Sequence, residues 1–201
     1  MQDKTDQTVE TYRKNFKKYV ERTVGEVFGD FKSFIDDFLK EIAPGGEIFE
    51  MGSTHSRDAR YMVDKGYKVF CTDIIPEALR ELSAQGFQTA EYDFRDKPAE
   101  EWRGRFDGFF ANGVLHHASQ EMFEQILYNI LEMLKPGGAV AFSVKRGTGE
   151  EVSTGKMDSP RFFKYYSPEE MRSILEEYPF EILALRLADE ERWLHVICRK
   201  K

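Results

Sequence analysis

"IFEMGSTHSRDARYMVDKGYKVFCTDI", residues 48–74, decides the fold. An apolar run at 48–51 meets a single glycine, Gly52. A segment of helical character follows at 57–65, closed by Gly66, and a second apolar run at 68–72 leads into Asp73. Strand, glycine turn, helix and strand in that order open a parallel α/β sheet. Such sheets bind ligands beyond the carboxyl ends of their strands. Gly52 allows backbone to approach a ligand with no side chain in the way. The peptide N–H groups of the loop and the start of the next helix favour an anionic group there. Glu50 adds an acceptor for an ammonium or a hydroxyl. Asp73, 23 positions after Glu50, puts a carboxylate where it can accept both hydroxyls of a ribose. Each such charged hydrogen bond is worth about 1.5–3 kcal/mol. The competing role for Asp73 is a helix cap before "IIPEAL".

The alternation continues outward from this stretch. A helix is predicted over 76–84, with Pro76 in its first turn, and short strands over 87–90 and 106–111. The long helix over 120–134 carries Phe123, Ile126, Leu127, Ile130 and Leu134 on one side. "KPGG" at 135–138 ends it, and a strand follows at 139–144. Ser167, Pro168 and two glutamates start another helix, which runs to about 177. Strands at 180–187 and 193–199 flank the polar "ADEER", which reads as a hairpin. The expected fold is therefore a Rossmann-like, doubly wound α/β sheet. It is mostly parallel, with one antiparallel strand and helices on both faces. Ahead of it, Tyr12, Phe16 and Tyr19 share one helix face. A second amphipathic helix over 26–42 is stopped by "APGGE".

Bulk composition narrows the partners. The chain has 201 residues, 41% hydrophobic and 32% charged, which suits one soluble domain. A net charge of −7 disfavours a broad nucleic-acid face. DNA is not expected as a partner, while an RNA base stays open as an acceptor. No apolar run approaches the roughly 20 residues of a membrane span, and the N-terminal stretch lacks an apolar signal core. Cys71 and Cys198 both lie in apolar runs and read as buried thiols. That usage fits a reducing cytoplasm.

A dinucleotide fingerprint, GxGxxG, is absent. A nicotinamide-dependent oxidoreductase is accordingly the weaker reading. A cofactor without phosphates tolerates side chains in this loop better, which leans toward a nucleoside with an amino-acid tail.

Taken together, "FEMGSTHSRDARYMVDKGYKVFCTDIIPEAL", "EYDFRD", "FDGFFANGVLHHASQE", "LEMLKPGGAVAFSVK" and "RFFKYYSPEEMRSILEEYPFEILAL" resemble, in order and at normal spacing, the class I S-adenosylmethionine-dependent methyltransferases. The resemblance implies S-adenosylmethionine as cofactor and S-adenosylhomocysteine as product. It implies cofactor contacts from Glu50, Gly52, Ser53, Thr54, Asp73 and Ile74, with Asp93 and Phe94 at the adenine. Asn112 and Gly113 would lie near the methionine part. It puts His117, and with it His116, at the mouth of the substrate pocket, where an imidazole suits a base near neutral pH. Adjacent histidines without a spaced third ligand give no metal site.

This chain departs from the family where glycines are usual, at Thr54 and Ser56. A β-branched residue does not adopt positive φ cheaply, so the loop is expected to keep ordinary dihedrals or to rearrange. The hydroxyls of Ser53, Thr54 and Ser56 are then free to bond the cofactor's carboxylate. His55 could flank the cofactor or face solvent, and His195, alternating within the last strand, reads as structural.

Past the fifth strand, "SVKRGTGEE" and "SPRFFKYYS" hold basic and aromatic residues on a connection rich in glycine. It reads as a mobile flap over the site. Lys145, Arg161 and Tyr165 there, with Tyr12 and Tyr19 on the first helix, are candidate substrate contacts and point to an anionic or planar acceptor.

The resulting expectation is a cytoplasmic methyltransferase acting on a small molecule, monomer or homodimer. It would have a helical N-terminal cap over 1–42 and a methyltransferase domain over 43–201. The alternative is a non-catalytic protein of the same fold, its loop altered, serving as a binding or regulatory module.

Overall fold

The computed structural model describes residues 4–201, so the first three positions of the expected N-terminal cap lie outside it. Helices α1 (Lys4–Glu21) and α2 (Gly29–Lys40) come first. The alternating body then runs β1 (Glu47–Met51), α3 (Arg57–Asp64), β2 (Lys68–Asp73), α4 (Pro76–Ala84), β3 (Gln88–Glu91) and β4 (Phe106–Asn112). After it come α5 (Gln120–Met133), β5 (Leu134–Lys145), β6 (Glu150–Ser153), β7 (Arg161–Lys164), α6 (Pro168–Glu176), β8 (Phe180–Ala188) and β9 (Trp193–Lys200). Seven strands form one sheet in the order β3-β2-β1-β4-β5-β9-β8, and β9 alone runs antiparallel to its neighbours. The expected Rossmann-like architecture and its single antiparallel strand are both present.

The sheet owes its stability to aromatic rows on both faces. Phe49, Phe70, Phe106 and Phe109 pack with Trp102 and the apolar side of α5 on one face. Ile48, Cys71, Phe110 and Ala141 meet α2 and α3 on the other. Each fully buried side chain of this size contributes about 1.5–3 kcal/mol. Ser119 and Ser167 cap α5 and α6 by accepting from the N–H groups of Met122 (3.3 Å) and Glu170 (3.1 Å). Cys71 and Cys198 are buried free thiols.

Two expectations need correction. "KPGG" does not separate helix from strand. Leu134 already pairs with Phe106, and a register shift brings Ala139 opposite Gly108. The connection after β5, expected as a mobile flap, carries regular structure that its glycines did not suggest. β6 and β7 form an antiparallel ribbon, and α1 is fastened to it: Phe162 N–H donates to Thr8 Oγ1 (2.9 Å), and Thr11 Oγ1 donates to the Pro160 carbonyl (2.6 Å). Ribbon and α1 together stand over the carboxyl ends of the central strands.

Candidate active site

A cleft of about 810 Å3, counting its open mouth, lies between α1 and the ends of β1, β2 and β4. Gly52, Thr54, Asp73, Ile74, Asp93, Phe94, Asn112, Gly113 and His117 line it, as do Tyr12 and Tyr19 from α1. Eleven residues expected around cofactor or substrate thus converge on one space.

The first loop is left-handed at three positions. Gly52, Thr54 and Ser56 have φ of +74°, +46° and +66°. Of the two expectations, ordinary dihedrals or a rearranged loop, the first does not hold, since Thr54 itself takes positive φ. Hydrogen bonds override the local cost, which is about 1–2 kcal/mol for each left-handed residue with a side chain. Gly52 and Ser53 N–H both donate to the Thr72 carbonyl, Thr54 N–H to Asp73 Oδ2, and Ser56 N–H to the Ser53 carbonyl. Gly52 is needed for a further reason: a Cβ there would lie 2.5 Å from Val114 Cγ2. The three hydroxyls turn inward rather than toward a ligand. Ser53 bonds the Glu50 carbonyl, Thr54 the Gly52 carbonyl, and Ser56 lies between the His55 carbonyl and Gln85 Oε1. Ser53 accordingly does not line the cleft, and neither does His55.

Asp73 fills both roles weighed for it. Oδ1 accepts from Ile75 N–H and Oδ2 from Thr54 N–H, both at 2.9 Å. The carboxylate therefore ties the loop to the start of α4. Each oxygen keeps a second acceptor position, and the side chain borders the cleft. Burial pushes its acidity constant up, against the pull of the amides.

Glu50 is a correction. Strand alternation turns it away from Met51, which does line the cleft. Its buried carboxyl lies beside Cys71 Sγ at 3.7 Å. Burial, reinforced by the charge of Asp58, pushes it up to about 8, so it is neutral at pH 7. Asp93 borders the cleft, but Arg95 holds both of its oxygens and reaches on to Asp6 of α1. Asn112 donates to Asp58 (3.2 Å) and accepts from Ser143 Oγ (2.6 Å), which in turn accepts from Gly113 N–H.

His117 sits at the far wall. Its Nδ1 lies 2.6 Å from the Phe162 carbonyl, which can only accept, so Nδ1 carries the proton. Nε2 is left with its lone pair and accepts from the Tyr12 hydroxyl at 3.0 Å. Arg161 Nη1 donates to the same hydroxyl at 3.1 Å. Burial brings His117 down to about 4, opposed by the Phe162 carbonyl and assisted by Arg161 and Lys145. The ring is therefore neutral at pH 7 and its tautomer is fixed.

His116 does not share the cleft. Its ring touches that of His117, with centroids 4.4 Å apart, but lies behind it and stacks on Phe163 at 5.3 Å. Three more candidates lie outside the lining. Lys145 pairs across the sheet with Trp193 and folds over its ring. Arg161 is buried between Tyr12 and Phe163. The Tyr165 hydroxyl donates to Glu151 on the ribbon. His195 stacks on Phe34 at 4.2 Å, as a structural residue would.

The sequence reading missed Thr5, Thr8, Val9, Phe16, Met51, Ile75, Tyr92 and Val114 in the lining. Phe16 was the one within reach, since it shares the helix face of Tyr12 and Tyr19. Among the described residues no group of three or more His, Cys, Asp or Glu is placed to hold a metal ion. No helix among them is long and apolar enough to cross a membrane.

A seven-stranded sheet of this order, with its cleft where β1, β2 and β4 end, is the fold of the class I methyltransferases. Residues 49–140, a little under half of the chain, match a family model described as a methyltransferase domain, and this match together with the fold supports a class I S-adenosylmethionine-dependent methyltransferase. The cofactor of this family is S-adenosylmethionine.

Solved structures of similar fold include a 1,6-didemethyltoxoflavin-N1-methyltransferase from Burkholderia thailandensis. It holds 1,6-didemethyltoxoflavin and S-adenosylhomocysteine (17% identity, 98% of this chain and 87% of that chain, TM-score 0.75). A methyltransferase from Methanosarcina mazei is another (14% identity, 82% and 96% covered, TM-score 0.70). A Rhodobacter sphaeroides protein described as a zinc-dependent alcohol dehydrogenase also shares the fold (12% identity, 100% and 99% covered, TM-score 0.75). At these identities the likeness concerns the fold alone. No curated protein matches the chain significantly by sequence.

Proposed function

We propose that the chain transfers a methyl group from S-adenosylmethionine to a small acceptor by in-line displacement. The observation that carries this reading is Asp73. Its carboxylate is fixed at the end of β2 by two backbone amides, with spare acceptor positions beside the Gly52 loop. That is the geometry for a ribose diol. Ile74 and Phe94 offer apolar surface for a base. Asn112, anchored by Asp58 and Ser143, holds the loop that carries Gly113 against the methionine end. The sulfonium supplies an already activated methyl group, so the protein's main task is alignment and exclusion of water.

On the acceptor side, neutral His117 and the Tyr12 hydroxyl offer a way out for a proton. Tyr12 O–H already donates to Nε2, so a proton taken from an acceptor at the phenol oxygen passes to the imidazole. The Arg161 guanidinium stabilises the phenol oxygen during that step. α1, in this reading, is the cap that closes the site. Its place over the cleft favours a small acceptor over a macromolecular one.

The test is calorimetric titration with S-adenosylhomocysteine. Micromolar binding is expected, at least tenfold weaker in Asp73→Ala. A chain that remains folded yet gives neither heat nor a thermal shift would sink the enzyme reading. It would leave a retained fold with a binding role.

A further inference from the structure

Three basic groups surround the ring of Phe163. The guanidinium of Arg161 lies 4.9 Å from its centroid, the ammonium of Lys145 6.0 Å, and the His116 ring stacks on it at 5.3 Å. Among the described residues neither Arg161 nor Lys145 forms an ion pair. Lys164, the other lysine or arginine buried to this degree among the described residues, meets Glu170 at 2.7 Å. Arg161 is 7% exposed and His116 2%. Arg161 Nε and His116 Nδ1 are both buried without a hydrogen-bond partner.

Buried donors left unmade and cations left uncompensated are unfavourable, and a native fold seldom keeps them side by side without use. What they lack is one anionic group. Two aromatic rings, Phe163 and Trp193, add flat apolar walls to the same place.

The cluster also abuts the cleft. A Cβ on Gly113 would lie 3.5 Å from Trp193 Cη2 and 3.8 Å from His116 Cε1. That glycine itself lines the cleft, so the cluster borders the cleft wall at this point. Arg161 touches the cleft a second time through the Tyr12 hydroxyl. Lys145, half-buried, is the member that solvent can reach.

We infer that Lys145, Arg161 and His116 seat an anionic oxygen group, carboxylate or phosphate, carried by a planar methyl acceptor. This rests on the methyltransferase reading, which supplies the donor across Gly113. The group enters along Lys145 and Trp193. The acceptor ring lies against aromatic surface, and its nucleophilic atom is turned toward Tyr12 and His117.

The probes are benzoate, phenyl phosphate and the neutral benzamide. Each is titrated by saturation-transfer NMR against the protein with and without S-adenosylhomocysteine, in the wild type and in Lys145→Gln. Lys145 is partly exposed and its replacement should leave the fold intact, which a thermal melt checks. At least one anion is expected to bind ten times or more tighter than benzamide. Lys145→Gln should abolish that preference while S-adenosylhomocysteine affinity stays within twofold. The stronger of benzoate and phenyl phosphate tells carboxylate from phosphate. No preference for either anion, or a preference that survives Lys145→Gln, overturns the seat. If S-adenosylhomocysteine binds and the anions do not, the seat fails and the methyltransferase reading stands. If the anions bind and S-adenosylhomocysteine does not, the methyltransferase reading fails, and the seat's assignment to an acceptor fails with it.

Discussion

Helices α1 and α2 follow one another in the chain, and both look amphipathic in sequence, yet they bury different things. α2 buries Phe34, Ile35, Phe38 and Leu39 against the sheet. α1 buries Thr5, Thr8, Thr11 and Phe16, and its backbone leaves helical geometry at Asn15 (φ −118°, ψ 20°). α2 is thus part of the body, while α1 is a roof resting on polar contacts. Its ends are held by exposed ion pairs, Lys4 to Glu150 and Lys18 to Asp158, of a kind worth little in water. Hydrophobic area holds an element permanently. Hydrogen bonds and surface charges hold it only well enough to open, which a site enclosed by α1 requires if a cofactor is to enter and leave.

The contrast can be broken most directly by truncation. Phe38→Ala should cost about 3–5 kcal/mol in chemical denaturation, as full burial in a dense core implies. Phe16→Ala, packed only with Ile75, Ala78 and a few partly buried neighbours, should cost less than half as much while loosening cofactor binding. Equal costs would mean that α1 is as integral as α2.

A second change acts below the roof. Glu50, held neutral by burial, is raised from the ordinary carboxylate range to about 8. Between those values the folded state keeps a proton that the unfolded state has lost, so wild-type stability falls as pH rises through that window. Glu50→Gln does not titrate. It should be more stable by on the order of 2 kcal/mol at pH 7, with the advantage gone near pH 4 and cofactor affinity little changed. Denaturation at three pH values checks this, and a destabilised variant at pH 7 would contradict it.

Smaller still, Thr54→Gly relieves a left-handed residue. It should add up to about 1 kcal/mol, since relief of the side-chain cost exceeds glycine's entropic penalty. A loss would show that the threonine side chain is doing something the hydrogen bonds do not reveal.

Least in global terms, Asp158→Ala removes an ion pair from each of Lys18 and Arg22. No change in unfolding is expected. Amide exchange in α1 should quicken severalfold and that in α2 should stay as it was. Uniform exchange across both helices would erase the distinction between roof and body.

Much of this molecule was legible beforehand because periodicity is local. α4 matches its expected span, and most other elements fall within a residue or two. Asp73, Asn112 and Gly113 were legible for a related reason, lying where strands end. What escaped depends on partners far along the chain. The left-handed Thr54 is sustained by an amide bond to a carboxylate 19 positions away. Arg161 lies against Tyr12, 149 positions off. The glycines after β5 suggested mobility because nothing nearby shows that α1 fastens the ribbon. Glu50 failed for a simpler reason: the resemblance named the position, and strand alternation, which would have turned it inward, was not applied to it.

The contacts that fasten α1 also bear on the order in which the molecule forms. Thr11 to Pro160, Phe162 to Thr8 and Arg161 to Tyr12 each close a loop of about one and a half hundred residues. Contacts of such separation reward the chain only after the intervening loop has been closed by something else. The sheet that spans these loops therefore forms before such contacts can be made, and α1 settles onto a surface already there. A folding intermediate of this protein would present its cleft uncovered.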